Sequence, residues 1–160
     1  LVKQCLDIFT NQINSKIDSM KMTRHEILTL ASIIEGEAIL DKERPLIASV
    51  FYNRLKKRIK LQACPTIQYI KPGPPSRLLN SDLDIDSPYN TYKYYGLPPG
   101  PISNPGRSSI MAAIYPAKTN YLYFVARGDG GHTFSRSGKE HVIEKSKFDR
   151  IRRDVYRKKR

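Results

Sequence analysis

The sequence predicts a single α+β domain over residues 1–160, with a glutamate-bearing helix, loops rich in proline and glycine, and a small antiparallel sheet. Three observations predict this class. Apolar residues recur at helical spacing in the first third, prolines and glycines are dense in the middle, and two β-rich segments flank a glycine turn near the end. A chain of 160 residues can bury one core but is short for two full-sized domains.

The first third of the chain predicts two helices. Thr23 followed by Glu26 is a capping-box pattern with helically spaced apolar residues behind it, so we expect a helix over residues 24–40. The apolar series comprises Ile27, Leu30, Ala31, Ile34 and Ala38. A second helix should begin near Pro45, whose fixed φ suits a first helical position, and end in the basic run at residues 56–58. Its expected core residues are Leu46, Ile47, Val50, Phe51 and Leu55.

Residues 64–105 predict a structured loop region that can include short strands, because prolines and glycines are dense there. A solvated linker is the alternative, but four tyrosines between residues 89 and 95 are unusual for one. Asn104 then resembles an N-cap with Pro105 at the first helical position. This pair predicts a short helix that continues through residues 110–114.

The last third predicts a β-hairpin and a basic helix. Residues 121–126 and 132–135 have strand-forming composition, and the glycine-rich residues 128–131 between them predict a turn. A helix is expected over about residues 141–160, and nine of the residues 145–160 are Lys or Arg. The residues expected to face inward in this helix are Val142, Ile143, Phe148, Ile151 and Val155.

The charge balance indicates a polyanionic partner without naming it. The chain has 28 Lys and Arg against 15 Asp and Glu, a formal charge of +13. Zinc-finger spacing and RRM-type aromatic motifs are absent from the sequence, so the charge stands alone as evidence. From charge alone, anionic lipid or wall polymer fits as well as nucleic acid, and nucleic acid is not among the partners we expect. Cys5 and Cys64 match neither a metal-site spacing nor a dense disulfide framework, and their pairing stays open. No apolar run approaches the roughly 20 residues of a membrane helix.

Two glutamates on the first predicted helix are candidates for acid–base chemistry. Glu35 and Glu37 are two positions apart, which places them about 200° apart around a helix axis, so they cannot form a close pair in one small site. Glu37 has Ile33 and Ile34 on the preceding turn and is therefore the more readily desolvated. Desolvation raises a carboxyl pKa, as a general acid at neutral pH requires. From periodicity alone, exposed glutamates at the helix edge are the more frequent arrangement.

Two segments closely resemble the YceG-like (MltG) family of endolytic murein transglycosylases. They are residues 30–38, with the sequence LASIIEGEA, and residues 43–55, with the sequence ERPLIASVFYNRL. Further matches follow in the same order at residues 61–62, 65–66, 87–92, 96–102, 104–106, 121–126 and 130–134. Colinear matches over most of residues 24–141 are far more specific than one short motif.

This resemblance implies cleavage of the β-1,4 bond between N-acetylmuramic acid and N-acetylglucosamine, with a 1,6-anhydro-muramyl product and no consumption of water. One glutamate protonates the glycosidic oxygen and then, as a carboxylate, takes the proton of the muramyl 6-hydroxyl as that oxygen attacks C1. The family's catalytic glutamate lies in its Glu-x-Glu motif, and we assign it to Glu37, with Glu35 as the alternative. The resemblance implies neither a metal nor an organic cofactor.

Candidate substrate-binding residues lie downstream of the glutamates. Tyr89, Asn90, Thr91 and Tyr92 place hydroxyls and an amide close together, which suits hydrogen bonding to sugars, and an asparagine-supported turn with packed tyrosines is the alternative. The resemblance favours a role in the cleft for these four residues. We make the same assignment for Gln62 and Thr66. His132 follows two glycines and could orient a carboxylate or a sugar. His25 and His141 lack a partner at ligand spacing and are expected to be structural or surface residues.

Two residues depart from the family pattern. Cys64 stands where the family often has Asp before Pro-Thr, which puts in doubt an acidic contact near Pro65. Gly36 replaces the Lys common between the two glutamates, and it costs up to about 1 kcal/mol in helix propensity.

Two rival functions stay open. A hydrolytic muramidase would need a second carboxylate, for which Asp82, Asp84 and Asp86 are the candidates. A non-catalytic module for anionic envelope polymers would need only the positive charge.

By resemblance we expect the chain to be a fragment that lacks an N-terminal membrane anchor, and to act outside the bacterial cytoplasmic membrane. Its partners would be peptidoglycan glycan strands and, through the basic C-terminus, anionic lipid or wall polymer. The resemblance also makes cell-wall synthesis proteins candidate partners.

Overall fold

The computed structural model describes residues 11–73 and 77–158. That part of the chain contains six α-helices and one two-stranded antiparallel sheet, so the predicted α+β class is confirmed. The helices are α1 (Asn11–Ser19), α2 (Arg24–Glu37), α3 (Arg44–Lys56), α4 (Cys64–Ile70), α5 (Arg107–Ile114) and α6 (Gly138–Lys158). The strands are β1 (Tyr123–Ala126) and β2 (His132–Ser135), and 3-10 segments lie at Asp41–Glu43 and Asn80–Asp84.

Helix α2 is the centre of the core. The predicted capping box is present: the Thr23 hydroxyl accepts from the Glu26 N–H, and the Glu26 carboxylate accepts from the Thr23 N–H at 2.8 Å. Between residues 27 and 34 every side chain except Leu28 is buried. The helix ends three residues earlier than expected, because Ala38 is extended while its N–H makes the last helical hydrogen bond, to Ile34. This early end leaves Glu37 as the final helical residue.

Helices α3 and α5 pack against α2. Helix α3 begins at Arg44 and has the predicted proline in its first turn. It buries Ile47 and Phe51, while Leu46 and Leu55 are only half-buried. The predicted N-cap of α5 at Asn104 is wrong. The cap is Gly106, and its N–H is held by a carboxylate from α2 instead of by a local side chain.

Short helices, rather than the short strands considered from sequence, organise the described part of the middle region. Helix α4 begins at Cys64 and has Pro65 in its first turn. The segment that follows wraps around Asn90, whose side-chain amide donates to the carbonyls of Leu83 and Ile85 at 2.9 and 2.7 Å. A fully buried asparagine therefore replaces a sheet ladder as the source of order here.

The hairpin near the end of the chain is confirmed. Strands β1 and β2 pair antiparallel, with Phe124 opposite Phe134 and Ala126 opposite His132. The connecting turn uses Gly128 and Gly130 at φ of +90° and +86°, a left-handed backbone that glycine adopts without the penalty other residues meet.

Helix α6 covers the hairpin but extends beyond it. Its 21 residues span roughly 30 Å, whereas four-residue strands span only about 13 Å. The last turns of the helix therefore extend past the sheet. The expectation that Val142, Ile143 and Ile151 face inward is wrong, since they are 62%, 57% and 50% exposed. Phe148 is half-buried, and the side chain of Val155 lies outside the described residues. None of the described helices is both long and apolar enough to cross a membrane.

Candidate active site

Two clefts meet at Glu37. The basic cleft, of about 440 Å³, is lined by Arg54, Gln62, Tyr92, His132, His141 and Lys145 together with apolar residues of β1. The neutral cleft, of about 480 Å³, lies on the other side of Glu37. It is lined by Gly36, Pro65, Gln68, Tyr69, Ile102 and Ser103. Glu37 and Cys64 border both clefts. A groove that passes over a single carboxyl group is suited to an extended polymer.

Glu37 has the protonation behaviour of a general acid. Burial raises its pKa from 4.5 to about 7, while a backbone hydrogen bond from Cys64 and the charge of Arg54 oppose the rise. Its position at the C-terminal end of α2 acts in the same direction as burial, because the carbonyls there disfavour an anion. The side chain is only partly exposed, so it is desolvated yet reachable from the clefts. Near neutral pH both its acid and its base forms are populated.

Glu35 has a structural role in this fold. Its carboxylate accepts from the hydroxyl of Ser109 at 2.6 Å, and from the Gly106 N–H and the Arg44 guanidinium at 3.2 Å each. It thereby caps α5 from the side of α2 that faces away from Glu37. The wide angular separation expected from the sequence gives the two glutamates separate surroundings.

Arg54 is a buried cation beside Glu37 that the sequence analysis did not identify. It donates to the carbonyls of Leu122, Lys60 and Leu61 at 2.6, 3.0 and 3.0 Å, and to the Gln62 side-chain oxygen at 3.2 Å. All four acceptors are neutral. Its charge therefore remains uncompensated locally and acts on the Glu37 carboxylate. The sequence signal was an arginine three and four positions after Phe51 and Val50, on the apolar face of α3.

Gln62 and Tyr92 lie in the basic cleft, as expected for substrate contact. Gln62 has a left-handed backbone with φ of 51°, held by its N–H bond to the Thr91 carbonyl at 3.1 Å. Such a conformation costs a non-glycine residue of the order of 1 kcal/mol and is found often at functional sites. The Tyr92 hydroxyl lies 3.2 Å from the Cys64 sulfur, next to Glu37. Burial raises the pKa of Tyr92, so this hydroxyl stays protonated.

Three other predicted binding residues are buried and hydrogen-bonded within the loop. Thr66, Asn90 and Thr91 are at most 2% exposed. The hydroxyls of Thr66 and Thr91 bond each other at 2.9 Å, and the Asn90 oxygen accepts from the Tyr92 N–H at 2.9 Å. Asn90 thus helps to hold Tyr92 in place, and none of the three lines the basic or the neutral cleft. Tyr89 is half-buried, and its ring packs 5.0 Å from that of Tyr69 beside the neutral cleft.

His132 lies in the basic cleft and is oriented by Glu43, a residue that the sequence analysis missed. The His132 Nδ1 is 2.8 Å from one Glu43 oxygen, and its backbone N–H donates to the other at 3.1 Å. Glu43 is 5% exposed, so this is a buried carboxylate–imidazole pair. A carboxylate at Nδ1 favours the tautomer whose Nε2 is an acceptor.

Helix α6 contributes two further residues to the basic cleft. His141, which we expected to be structural or on the surface, stacks on Tyr123 at 5.1 Å, and its buried Nδ1 has no hydrogen-bond partner. Lys145 lies one turn later on the same face. From sequence, only their spacing of four residues could have linked them.

The three aspartates proposed as second carboxylates do not line either cleft. Asp82 pairs with Lys71 at 2.8 Å, and Asp86 accepts from the Tyr94 hydroxyl at 2.7 Å. Hydrogen bonds from the Leu79 N–H and the Lys71 side chain lower the pKa of Asp82. Hydrogen bonds from the side chains of Tyr94 and Lys93 lower that of Asp86. Within residues 11–73 and 77–158, no group of three or more His, Cys, Asp or Glu side chains is arranged to hold a metal ion.

Comparisons with known proteins give one consistent result. The YceG-like family matches residues 1–147. An endolytic murein transglycosylase of Bacillus subtilis (strain 168) is 47% identical over 148 residues, which are 92% of this chain and 41% of that protein. One of Streptococcus pneumoniae serotype 2 (strain D39 / NCTC 7466) is 40% identical over 131 residues, 79% of this chain and 24% of that protein. A solved YceG-like protein of Listeria monocytogenes has a TM-score of 0.76 at 48% identity, with 83% of this chain and 43% of that chain covered. This chain thus spans less than half the length of these relatives.

Proposed function

The chain belongs to the YceG-like family, as its motifs indicated, and from this premise we propose that it is the catalytic part of an endolytic murein transglycosylase. The substrate is the glycan strand of peptidoglycan. The bond cleaved is the β-1,4 link between N-acetylmuramic acid and N-acetylglucosamine, and the product carries a 1,6-anhydro-muramyl end.

One observation carries this proposal: a single carboxyl group, Glu37, with a pKa of about 7, lies where two clefts meet. Hydrolases of this bond generally need a second carboxylate, either about 5 Å away as nucleophile or further away as base for water. No other Asp or Glu of the described residues lines either cleft. One acid that changes its protonation state twice is sufficient when the substrate supplies its own nucleophile.

The reaction then proceeds by two proton transfers at Glu37. The protonated carboxyl donates to the glycosidic oxygen, the C1–O bond breaks, and N-acetylglucosamine leaves with a new 4-hydroxyl. The carboxylate so formed takes the proton of the muramyl 6-hydroxyl, whose oxygen forms the new bond to C1. Arg54 favours the intermediate carboxylate through its uncompensated charge, and Glu37 ends as it began.

The polar groups of the basic cleft are suited to holding the sugar in place. Gln62 presents an amide, Tyr92 a protonated hydroxyl, and His132 an imidazole whose orientation Glu43 sets. Sugar hydroxyls and acetamido groups need such a mixture of donors and acceptors.

The decisive experiment compares product masses for the wild type, Glu37→Gln and Glu35→Gln on purified glycan strands in oxygen-18 water. We expect anhydro ends without label from the wild type, and no cleavage by Glu37→Gln in a folded state. The Glu35→Gln variant should still cut, because its carboxylate serves α5. Loss of cutting in Glu35→Gln with full activity in Glu37→Gln would reverse the assignment. Full activity in both would refute the mechanism.

The same experiment tests the rivals. Label at the new muramyl end would identify a hydrolytic muramidase. Tight binding without cleavage by the wild type would identify a non-catalytic module for anionic envelope polymers.

We further propose that the protein acts at the extracytoplasmic face of the bacterial membrane, where its substrate is located. The support is the family, together with a formal charge of +13 that favours anionic lipid or wall polymer. Proteins of cell-wall synthesis are candidate partners on the same ground.

A further inference from the structure

The two clefts on either side of Glu37 differ in charge. The basic cleft contains Arg54 and Lys145, whereas the neutral cleft contains no ionisable group with a full charge other than Glu37. A symmetrical polymer would not need this difference. It suggests that the two halves of the bound disaccharide differ in charge as well.

The positive charges of the basic cleft are not paired with carboxylates of the protein. Among the described residues, neither Arg54 nor Lys145 has a carboxylate within 4.0 Å. Arg54 is occupied by neutral acceptors, so its four hydrogen bonds fix its position without cancelling its charge. Lys145 is exposed at the cleft wall and can move to meet a ligand. The cleft is thus a positive site that the protein does not neutralise itself.

His141 adds an uncharged ring next to Lys145. Burial, together with the charges of Lys145 and Arg54, lowers its pKa, so the ring is uncharged at neutral pH. Its Nδ1 is enclosed without a hydrogen-bond partner, which leaves Nε2 as the ring nitrogen that a ligand in the basic cleft can reach.

The neutral cleft has instead an aromatic surface. Tyr69 is 51% exposed there, and its ring is supported by that of Tyr89 at 5.0 Å. A rigid exposed ring offers apolar area at low entropic cost, which suits the C–H face of an uncharged sugar.

We propose that Lys145 is a specificity-determining residue which binds a carboxylate on the muramyl half of the substrate in the basic cleft. The neutral cleft then takes the N-acetylglucosamine half over Tyr69. This inference rests on the proposed function. Its chemistry is simple: N-acetylmuramic acid carries a lactyl group whose carboxyl is either free or extended by an acidic peptide, while N-acetylglucosamine is uncharged. Of the two sugars that flank the cleaved bond, only the muramyl one therefore carries a carboxylate.

The assignment fixes the direction of the strand. The muramyl C1 and its 6-hydroxyl lie on the side of Arg54 and Lys145, and the departing 4-oxygen lies on the side of Tyr69. Glu37 stands between them, so it can reach the leaving oxygen first and the 6-hydroxyl second.

The test measures kcat/KM on four substrates, arranged as two pairs. These are peptide-free glycan strands with free lactyl carboxylates, the same strands with those carboxylates converted to methylamides, and peptide-bearing strands with and without methylamidated stem carboxylates. We expect the wild type to prefer one carboxylate form over its amide by about 10-fold, the effect of one charge-assisted bond worth about 1.4 kcal/mol. A preference in the peptide-free pair identifies the lactyl group as the ligand, and a preference confined to the peptide-bearing pair identifies the stem.

Matched variants then test the residues. Lys145→Met should bring the ratio between carboxylate and amide substrates close to one, and Lys145→Arg should retain it. Lys139→Met, an exposed lysine of the same helix that does not line the cleft, should behave as the wild type. Tyr69→Ala should lower kcat/KM on both forms by the same factor.

Two results would overturn this inference: the same carboxylate-to-amide ratio of kcat/KM in Lys145→Met as in the wild type, or no preference for the carboxylate in the wild type. In either case anhydro products would still form. Failure of the proposed function would look different, because no anhydro product would form from any substrate.

Discussion

Replacing Glu37 with glutamine should make the protein more stable at alkaline pH while abolishing its activity. The carboxyl has a pKa of about 7 in the fold and 4.5 as an ordinary group, so folding favours its protonated form. Below about pH 4 the acid is neutral in both states and costs nothing. As the pH rises through about 7, the folded state must lose the proton in a desolvated site, and stability falls.

The size of the effect follows from the shift. The difference between 4.5 and about 7 is about 2.5 units, and at 1.36 kcal/mol per unit it corresponds to about 3 kcal/mol at pH 8. At pH 4 the same relation gives only a few tenths of a kcal/mol. Glutamine keeps the shape of the neutral acid and cannot ionise, so it removes this cost.

The assay is urea denaturation of wild type and Glu37→Gln at several pH values between about 4 and 8. The stability difference should be small at the acid end and grow by about 3 kcal/mol towards the alkaline end. Glu35→Gln is the matched control. It should be less stable than wild type even at neutral pH, because it weakens the charged contacts to Arg44, Gly106 and Ser109. If the difference in free energy of unfolding between wild type and Glu37→Gln did not change with pH, the conclusion that burial raises the pKa of Glu37 would be refuted.

Two further predictions concern packing and charge. In Gly36→Ala the new Cβ would lie 2.6 and 2.7 Å from the Cβ and Cγ of Pro65, so α4 and Cys64 must move away from Glu37. We expect stability in urea denaturation to fall by about 1–3 kcal/mol and kcat to fall as well. Wild-type stability and rate would show that α4 adapts. Residues 157–160 lie outside the described side chains. Each basic residue near an anionic surface contributes on the order of 1 kcal/mol, so their deletion should reduce sedimentation with anionic vesicles or sacculi at low salt. Cleavage of short soluble glycans should not change. Unchanged sedimentation would mean that these residues are only a solvated helix end.

The sequence by itself determined the elements that depend on local interactions. The capping box at Thr23 and Glu26, the helix behind it and the hairpin around the glycine turn all appear where they were expected. The placement of Glu35 and Glu37 on opposite sides of the helix was also predictable, because residues two positions apart in a helix are about 200° apart around its axis. The family followed from motifs in a fixed order.

Only the tertiary structure decided which side chains reach the clefts. Asn90, Thr91 and Thr66 are short polar residues that suit a sugar or a turn equally well. In the folded chain they are buried, and their side chains bond to backbone groups of the loop. Conversely, Arg54 and Lys145 come together from helices far apart in the chain.

Helix α6 shows the same limit. Its periodicity suggested an apolar face turned inward, but periodicity describes only the helix itself. The hairpin contacts the face that carries His141 and Phe148, so Val142 and Ile143 lie on an uncovered face beside it. Ile151 lies further along the helix, which is longer than the sheet. Local sequence thus determined the elements, while contacts between distant segments decided which faces are covered and which charges meet at Glu37.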